Sequence, residues 1–382
     1  MKVGKDNMAK KYSSKFVFVL AAILLASCAG IPQAPSAQAA NGPFVTEIIV
    51  RTVENFKKHA DVVAFMKNAA KRHVSVINLN VKEDEDDTVP SGYVFYDSEI
   101  APIAQGYAQF DALADVIAEA HSRDIQVRAW IPQFHDKAAF DHNASWRMMA
   151  LKNGQVVPFT GSNNNEYFVN PIHPDVQAYE RSIIREIVSN YDIDGVVLDW
   201  LRFDDYNMDM SDYTRQAYNA AYGYDPVTID FTTDNAQRTQ WNDWRTTQIA
   251  NYVRDVEADI ESIVPDLFTG VYILPPEFVE VGQDVEKFKN YVDFISPMAY
   301  FADWDFQPSW VYNSTGVLAQ TKAKIGTKEI IPGLDVWWSN AQYHEIYAGI
   351  RNQLPEIQNL SFFLYGKWTD NDLKKIDNRR SW

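Results

Sequence analysis

Within residues 191–205, YDIDGVVLDWLRFDD, a short apolar run (Val196, Val197, Leu198) gives way to Asp199, Trp200, Arg202, Asp204 and Asp205. The apolar run reads as a buried strand, and strand alternation places Gly195, Val197 and Asp199 on one side of it. In parallel α/β proteins ligands are met at the carboxyl ends of the strands, where loops build the site and strands hold it still. If that side faces the inside of a barrel, Asp199 sits in the mouth. A carboxylate there either does chemistry or caps the strand in a structural ion pair with Arg202.

Among the chemistries that a pair of carboxyl groups can do is cleavage of a glycosidic bond, which commonly takes one protonated group to donate to the leaving oxygen and one ionised group to attack the sugar or activate water. Three candidates stand at strand ends: Asp199, Glu277 in ILPPE and Asp335 in GLDVWW. The expected assignment is Asp199 as nucleophile or base, held ionised by Arg202. Glu277 is the expected acid, its pKa raised by Leu274, Pro275, Pro276 and Phe278. Asp335 would bind sugar hydroxyls or stabilise positive charge on the ring, and Asp204 and Asp205 are alternates. Trp130, Trp200, Tyr300, Trp337, Trp338 and Trp368 are candidate stacking platforms for sugar, each equally readable as packing between loops. His135, His142 and His173 show no metal-ligand spacing, and the reading includes neither metal nor cofactor. Asp194 and Asp293 precede their strands and are read as structural.

The elements that must position these groups alternate along the chain. Strands are expected over 47–52, 73–81, 125–132, 195–199, 267–274, 292–300, 329–336 and 360–365. Helices are expected over 53–72, 110–124, 174–190, 241–264, 285–291, 310–325, 341–354 and 371–377. Eight of each in alternation predict an α/β protein, a single (β/α)8 TIM barrel over 44–382. An open doubly wound sheet would need a Gly-rich phosphate turn after its first strand, and none is present. Two long excursions, 133–174 and 206–240, interrupt the pattern and read as functional insertions. Residues 83–87, EDEDD, fit no calcium loop and read as a solvated acidic loop.

The chain of 382 residues is long enough for one large domain. Its N-terminus carries Lys2, Lys5, Lys10, Lys11 and Lys15 ahead of an apolar run at 16–26, too short to span a bilayer comfortably. This reads as an export signal over 1–27. It ends in Leu25-Ala26-Ser27-Cys28, which resembles the lipobox of bacterial lipoproteins, and Cys28 is the one cysteine in the sequence. Acylation at Cys28 would anchor the protein to a membrane, with 28–43 as a flexible tether. Ala29 in place of Asp implies, by resemblance to lipoprotein sorting, the outer membrane. The formal charge of −16 becomes more negative once the Lys-rich leader is set aside. Such a surface disfavours nucleic acid as a partner.

The run from Tyr167 to Phe203 contains N-P-x-H-P-x-V leading to D-G-V-V-L-D-W-L-R-F, and 292–300 reads V-D-F-x-x-P-M-x-Y. These residues resemble glycosyl-hydrolase-like family 10, whose fold is related to the hydrolase domains of exopolysaccharide-processing lipoproteins. The resemblance covers nearly all of the chain after the tether. It implies a polysaccharide substrate and exopolysaccharide secretion machinery as a partner. The family places Pro after the Arg-aromatic pair, whereas Asp204 and Asp205 stand here. The same stretch partly resembles the D-G-x-D-x-D-x-E strand of chitinase-like enzymes, but Val197 and Leu201 replace two of its acids, which argues against substrate-assisted hydrolysis. Two functions follow: a lipid-anchored glycoside hydrolase, or a barrel that binds or exports polysaccharide without turnover.

Overall fold

The computed structural model describes residues 43–161, 164–336 and 338–377. The leader, Cys28, nearly all of the tether, and Trp337 lie outside them. Nine strands form one parallel sheet: β1 (Val45–Val50), β2 (Val74–Asn80), β3 (Gln126–Pro132), β6 (Gly195–Asp199), β7 (Phe268–Ile273), β8 (Phe294–Pro297), β9 (Glu329–Ile330), β10 (Gly333–Asp335) and β11 (Asn359–Phe363). Their order is β10-β11-β1-β2-β3-β6-β7-β8-β9. The runs are rich in Val, Ile and Phe and buried on both faces, as a parallel sheet covered by helices requires.

The sheet is curled. Strands β3 and β8 are three places apart, about 14 Å on a flat sheet. Yet the Arg128 guanidinium of β3 lies 4.8 Å from the Phe268 ring of β7 and 5.1 Å from that of Phe294 of β8. Arg128 also pairs with Glu47 of β1 at 2.9 Å, and Glu47 accepts from Asn78 at 3.3 Å and Asn359 at 3.1 Å. This polar layer fills the inner face at the amino ends of the strands. Above it Trp130 meets Tyr272 and Phe363 edge-on, each at 6.1 Å between centroids. Asp199 lies one further level up.

Helices Pro174–Asn190 and Ala236–Ile263 cover the outside near β6. The first has Pro at its opening turn and buries Val176, Ile183, Ile184, Ile187 and Val188. At the amino ends, Asp194 accepts from His121 and from the Val127 N–H at 2.8 and 2.7 Å, and Asp293 accepts from the Thr269 N–H at 2.9 Å. These contacts tie helix to strand and strand to strand, away from the carboxyl ends.

Three expectations need correction in detail. The seventh strand, expected over 329–336, is two strands, β9 on β8 and β10 on β11, separated by Ile331 and Pro332. Pro332 has no N–H to give to a ladder. The first helix, expected over 53–72, is a turn at Thr52–Asn55 followed by a helix at His59–Lys71. The excursion at 133–174 is not structureless. It holds a short helix, Lys137–His142, and an antiparallel hairpin of β4 (Met149–Lys152) and β5 (Gln155–Pro158). Asn153 and Gly154 turn it with φ of 51° and 75°, the left-handed pair that a two-residue hairpin loop needs. The Met149 carbonyl then accepts from the Met210 N–H at 2.8 Å, so the two excursions pack together.

The inner face leaves no room at Gly270, where an added Cβ would lie 2.1 Å from the Phe294 ring, itself stacked on Phe268 at 5.0 Å. Gly270→Ala is expected to destabilise the protein by about 1–3 kcal/mol through overpacking, read as a lowered midpoint in thermal or urea unfolding.

Candidate active site

Asp199 ends β6 on the inner face and is 5% exposed. One carboxylate oxygen accepts from the Trp130 indole N–H at 2.9 Å and the other from the Trp200 backbone N–H at 2.7 Å. Trp200 holds a left-handed φ of 53°, strained for a bulky residue, and this turn brings its N–H onto the preceding side chain. Burial pushes the Asp199 carboxyl up to about 7. The two N–H donors oppose that rise, and the negative charge of Asp84 adds to it.

Arg202 does not hold Asp199 ionised in an ion pair. Its guanidinium pairs with Asp204 at 3.3 Å, donates to the Phe203 carbonyl at 3.2 Å and lies 4.3 Å from the Trp200 ring. Its effect on Asp199 is a minor lowering. The strand-end ion pair considered from the sequence does not form either.

The segment that follows β2 supplies the second acidic group. Residues 83–87 are not a solvated loop at their start: Glu83 and Asp84 are buried against Arg51, which follows β1. Arg51 pairs with Glu83, with Asp84 at 3.0 Å and with Glu54 at 2.9 Å. Next to it, buried Lys82 pairs with Glu180 at 2.6 Å and Asp136 at 2.8 Å. Glu85 is half-buried, and desolvation first, then the charge of Asp84, pushes its carboxyl up to about 8 against the pull of Arg51 and His135.

His135, just past β3, is fully buried. Its Nδ1 meets the Asp84 carbonyl at 2.7 Å and its Nε2 meets an Asp86 oxygen at 2.9 Å. Burial opposes a charge on this ring, but Asp86, with help from Glu85 and Glu166, pushes it up to about 9. That rise favours the charged ring at neutral pH, with Nδ1–H donating to the Asp84 carbonyl and Nε2 at ion-pair distance from Asp86.

The other expected residues distribute unevenly. Asp335, at the end of β10, is buried and accepts from the Trp338 indole. Its charge reaches Tyr300, whose hydroxyl is pushed well above its ordinary value first by burial, then by Tyr272, Tyr365, Asp199 and Asp335. Tyr365 is raised likewise by burial and by Glu85 and Asp84. The charge of Asp84 thus bears on both Asp199 and Glu85, and those of Asp199 and Asp335 both bear on Tyr300. Glu277 is held differently, accepting from Trp310 at 3.2 Å and Gln320 at 3.3 Å, both on outer helices. Asp205 caps its own turn, accepting from the Tyr206 N–H at 2.7 Å.

The aromatic platforms are buried. Trp130, Trp200, Tyr300, Trp338 and Trp368 are each no more than 8% exposed. Trp368 donates to the Ile49 carbonyl at 3.0 Å, and Tyr300 stacks between Trp304 and Phe363 at 5.7 and 5.6 Å. In this conformation these rings pack the site's walls and floor, while Trp337 lies outside the described residues. His173 caps its helix, accepting from the Asp175 N–H at 3.2 Å. Among the described residues no group of three or more His, Cys, Asp and Glu side chains is arranged to hold a metal ion.

The sequence profile of the glycosyl hydrolase-like 10 family matches residues 51–312. The chain belongs to this family. Among curated proteins it is 20% identical over 212 residues to the glycosyl hydrolase YngK of Bacillus subtilis, spanning 55% of this chain and 39% of YngK. It is 34% identical over 91 residues to an S-layer-related protein of Niallia circulans, spanning 22% of this chain and 6% of that protein. The chain thus spans well under half of either relative. Among solved structures it resembles the glycoside hydrolase domain of PgaB (BpsB) from Bordetella bronchiseptica. The TM-score is 0.68 at 14% identity, covering 87% of this chain and 96% of that one. It also resembles α-L-fucosidase isoenzyme 2 from Paenibacillus thiaminolyticus, with TM-score 0.61 at 15% identity over 88% and 48% of the two chains. At these identities the solved structures speak to the fold.

In this member of glycosyl hydrolase-like family 10, the residues that sequence reasoning missed are Arg51, Asp84, Glu85 and His135. Their signal was present: EDEDD directly follows a strand, the same position that singled out Asp199. Infrared difference titration of the purified protein is expected to show a protonated carboxyl absent from Asp199→Asn, with a midpoint near pH 7. Asp84→Asn is expected to lower that midpoint, because it removes a like charge and frees Arg51.

Proposed function

We propose that this chain is a glycoside hydrolase acting on a bacterial cell-surface or secreted polysaccharide, with Asp199 as nucleophile or base and Glu85 as proton donor. The observation that carries the reading is the buried Asp199 carboxyl, raised to about 7 by burial and by the charge of Asp84, which also raises its neighbour Glu85 to about 8. The two N–H donors that favour the anion give the ionised role to Asp199, and the like charge of Asp84 beside Glu85 gives it the protonated role. Glu85 would give its proton to the leaving oxygen. Asp199 would either attack the anomeric carbon or take a proton from water, depending on the separation of the two carboxyl groups. Glu85 replaces Glu277 as the proposed acid because Glu277 is engaged by Trp310 and Gln320. Asp335 keeps its role of binding sugar hydroxyls or stabilising charge on the ring.

The fold reading that goes with this is a closed (β/α)8 barrel, in which β9 and β10 are one interrupted seventh stave. Support comes from the parallel bridge between Met298 and Gly333 and from the two-residue gap between the sheet's terminal strands. The proposal includes a lipid anchor at Cys28 and placement in the cell envelope, supported by the Lys-rich leader, its apolar run and Leu25-Ala26-Ser27-Cys28. Polysaccharide secretion machinery is the proposed partner.

The test is reducing-end release from neutral and amino-sugar polysaccharides. Asp199→Asn is expected to abolish turnover while binding persists. Glu85→Gln is expected to lose about 10²–10⁴-fold on polysaccharide, with most of the rate recovered on an aryl glycoside whose leaving group needs no protonation. Binding without turnover by the unaltered chain would favour the silent polysaccharide-binding reading.

Activity rises as Asp199 loses its proton through about 7 and falls as Glu85 loses its own through about 8. A narrow bell between those values is expected in kcat/KM, and a profile flat from pH 5 to 9 contradicts the assignment.

A further inference from the structure

The two acids of the proposed pair stand on different strands, Asp199 after β6 and Glu85 after β2, with β3 between them. Their relative placement is not fixed by any direct contact between the two carboxyl groups. The residue that touches both sides is His135, which follows β3. Toward β2, its Nδ1 lies 2.7 Å from the Asp84 carbonyl and its Nε2 lies 2.9 Å from Asp86. Those contacts bracket Glu85 in sequence. Toward β6, its ring lies 4.4 Å from the Trp200 ring and 4.9 Å from that of Phe168, centroid to centroid.

Trp200 is the residue whose backbone N–H holds Asp199 at 2.7 Å, and it does so from a left-handed φ of 53° that a bulky residue adopts only when its surroundings hold it there. We propose that His135 is a positioning residue that sets the two acids relative to one another. Its Nδ1–H and its charge, paired with Asp86, hold the 84–86 loop, and its ring face holds Trp200, and through it Asp199. The inference rests on the hydrolase reading and extends it to a residue that touches neither reacting group.

The device needs the ring's charge. A neutral imidazole with its proton on Nδ1 could still donate to the Asp84 carbonyl but would carry no charge to pair with Asp86. The carboxylates around the ring, Asp86, Glu85 and Glu166, are what keep it doubly protonated, while Trp200 and Phe168 contribute no charge. Burial among aromatic rings alone would act in the opposite sense.

The experiment compares the unaltered chain with His135→Phe, which keeps a ring against Trp200 and Phe168 but has no donors, and with His135→Gln, whose amide can reach one acceptor but cannot stack. His135→Phe is expected to move the Asp199 titration midpoint upward by about half a unit or more. It is expected to lower kcat by about 10–100-fold, with KM within about twofold, as a displaced catalytic group does. His135→Gln is expected to fall between. A folded His135→Phe with unchanged midpoint and unchanged kcat overturns the proposal.

A measurement on the unaltered protein stands whether or not the variants fold. Nitrogen-15 NMR of the His135 ring at pH 7.5 should show both nitrogens protonated, and a bare nitrogen at either position overturns the proposal. The readouts separate the two readings. If the chain hydrolyses no polysaccharide, the Asp199 midpoint in His135→Phe still tests the positioning. If hydrolysis is intact and depends on Asp199 but neither midpoint nor kcat responds to His135, the positioning falls and the hydrolase assignment stands.

Discussion

A carboxylate removed from water must be compensated or must keep its proton, and the carboxyl end of this sheet is organised by which of the two each acid does. Arg51 compensates Glu83 and Asp84, and Lys82 compensates Glu180 and Asp136. Each of these buried cations serves more than one acid, as burial of charge demands. Among the described residues no cation forms an ion pair with Asp199. Two N–H donors satisfy its oxygens without cancelling its charge, and its affinity for a proton rises in consequence. Acids poised to change charge near neutrality are characteristic of sites that move protons.

The fold decides why these groups meet. All nine strands of the sheet run the same way, so all their carboxyl ends emerge on one side. Curling then brings β1, β2, β3 and β6 to face β7, β8 and β10 across a filled interior. That interior is polar at its amino end, around Arg128 and Glu47, and aromatic above, around Trp130, Tyr272 and Phe363. The aromatic layer is the floor on which Asp199 stands and supplies one of its donors, the Trp130 indole. The two excursions are joined through β4 and the 207–210 segment, and pack beside the same rim.

Much of this was legible in the residues. Val196 to Leu198 followed by Asp199 marked a buried strand ending in an acid. Asp194 and Asp293, placed ahead of their strands, marked the structural end, where both are found as hydrogen-bond acceptors. The alternation of apolar runs placed strands near their observed positions, and the 174–190 helix was announced by His173-Pro174. The misreadings share a cause. EDEDD was read as solvated because five consecutive acids are usually on a surface, and its partner Arg51 lies 33 positions from Asp84. Arg202 was assigned to Asp199 because it is three residues away, but the turn at Trp200 sends it to Asp204. The indoles, equally readable from their strand-end positions as sugar platforms or as packing between loops, are buried by side-chain packing.

The sequence by itself determined the alternating α/β plan and the family, and it singled out Asp199 as the acid that ends a buried strand. These depend on local periodicity and on short motifs, which a linear reading contains. The tertiary structure alone decided which charges compensate one another, which acids keep a proton, and that His135 touches both sides of the site. Desolvation and pairing depend on distances between side chains on different strands, and those distances exist only once the sheet has curled and brought residues far apart in sequence into contact.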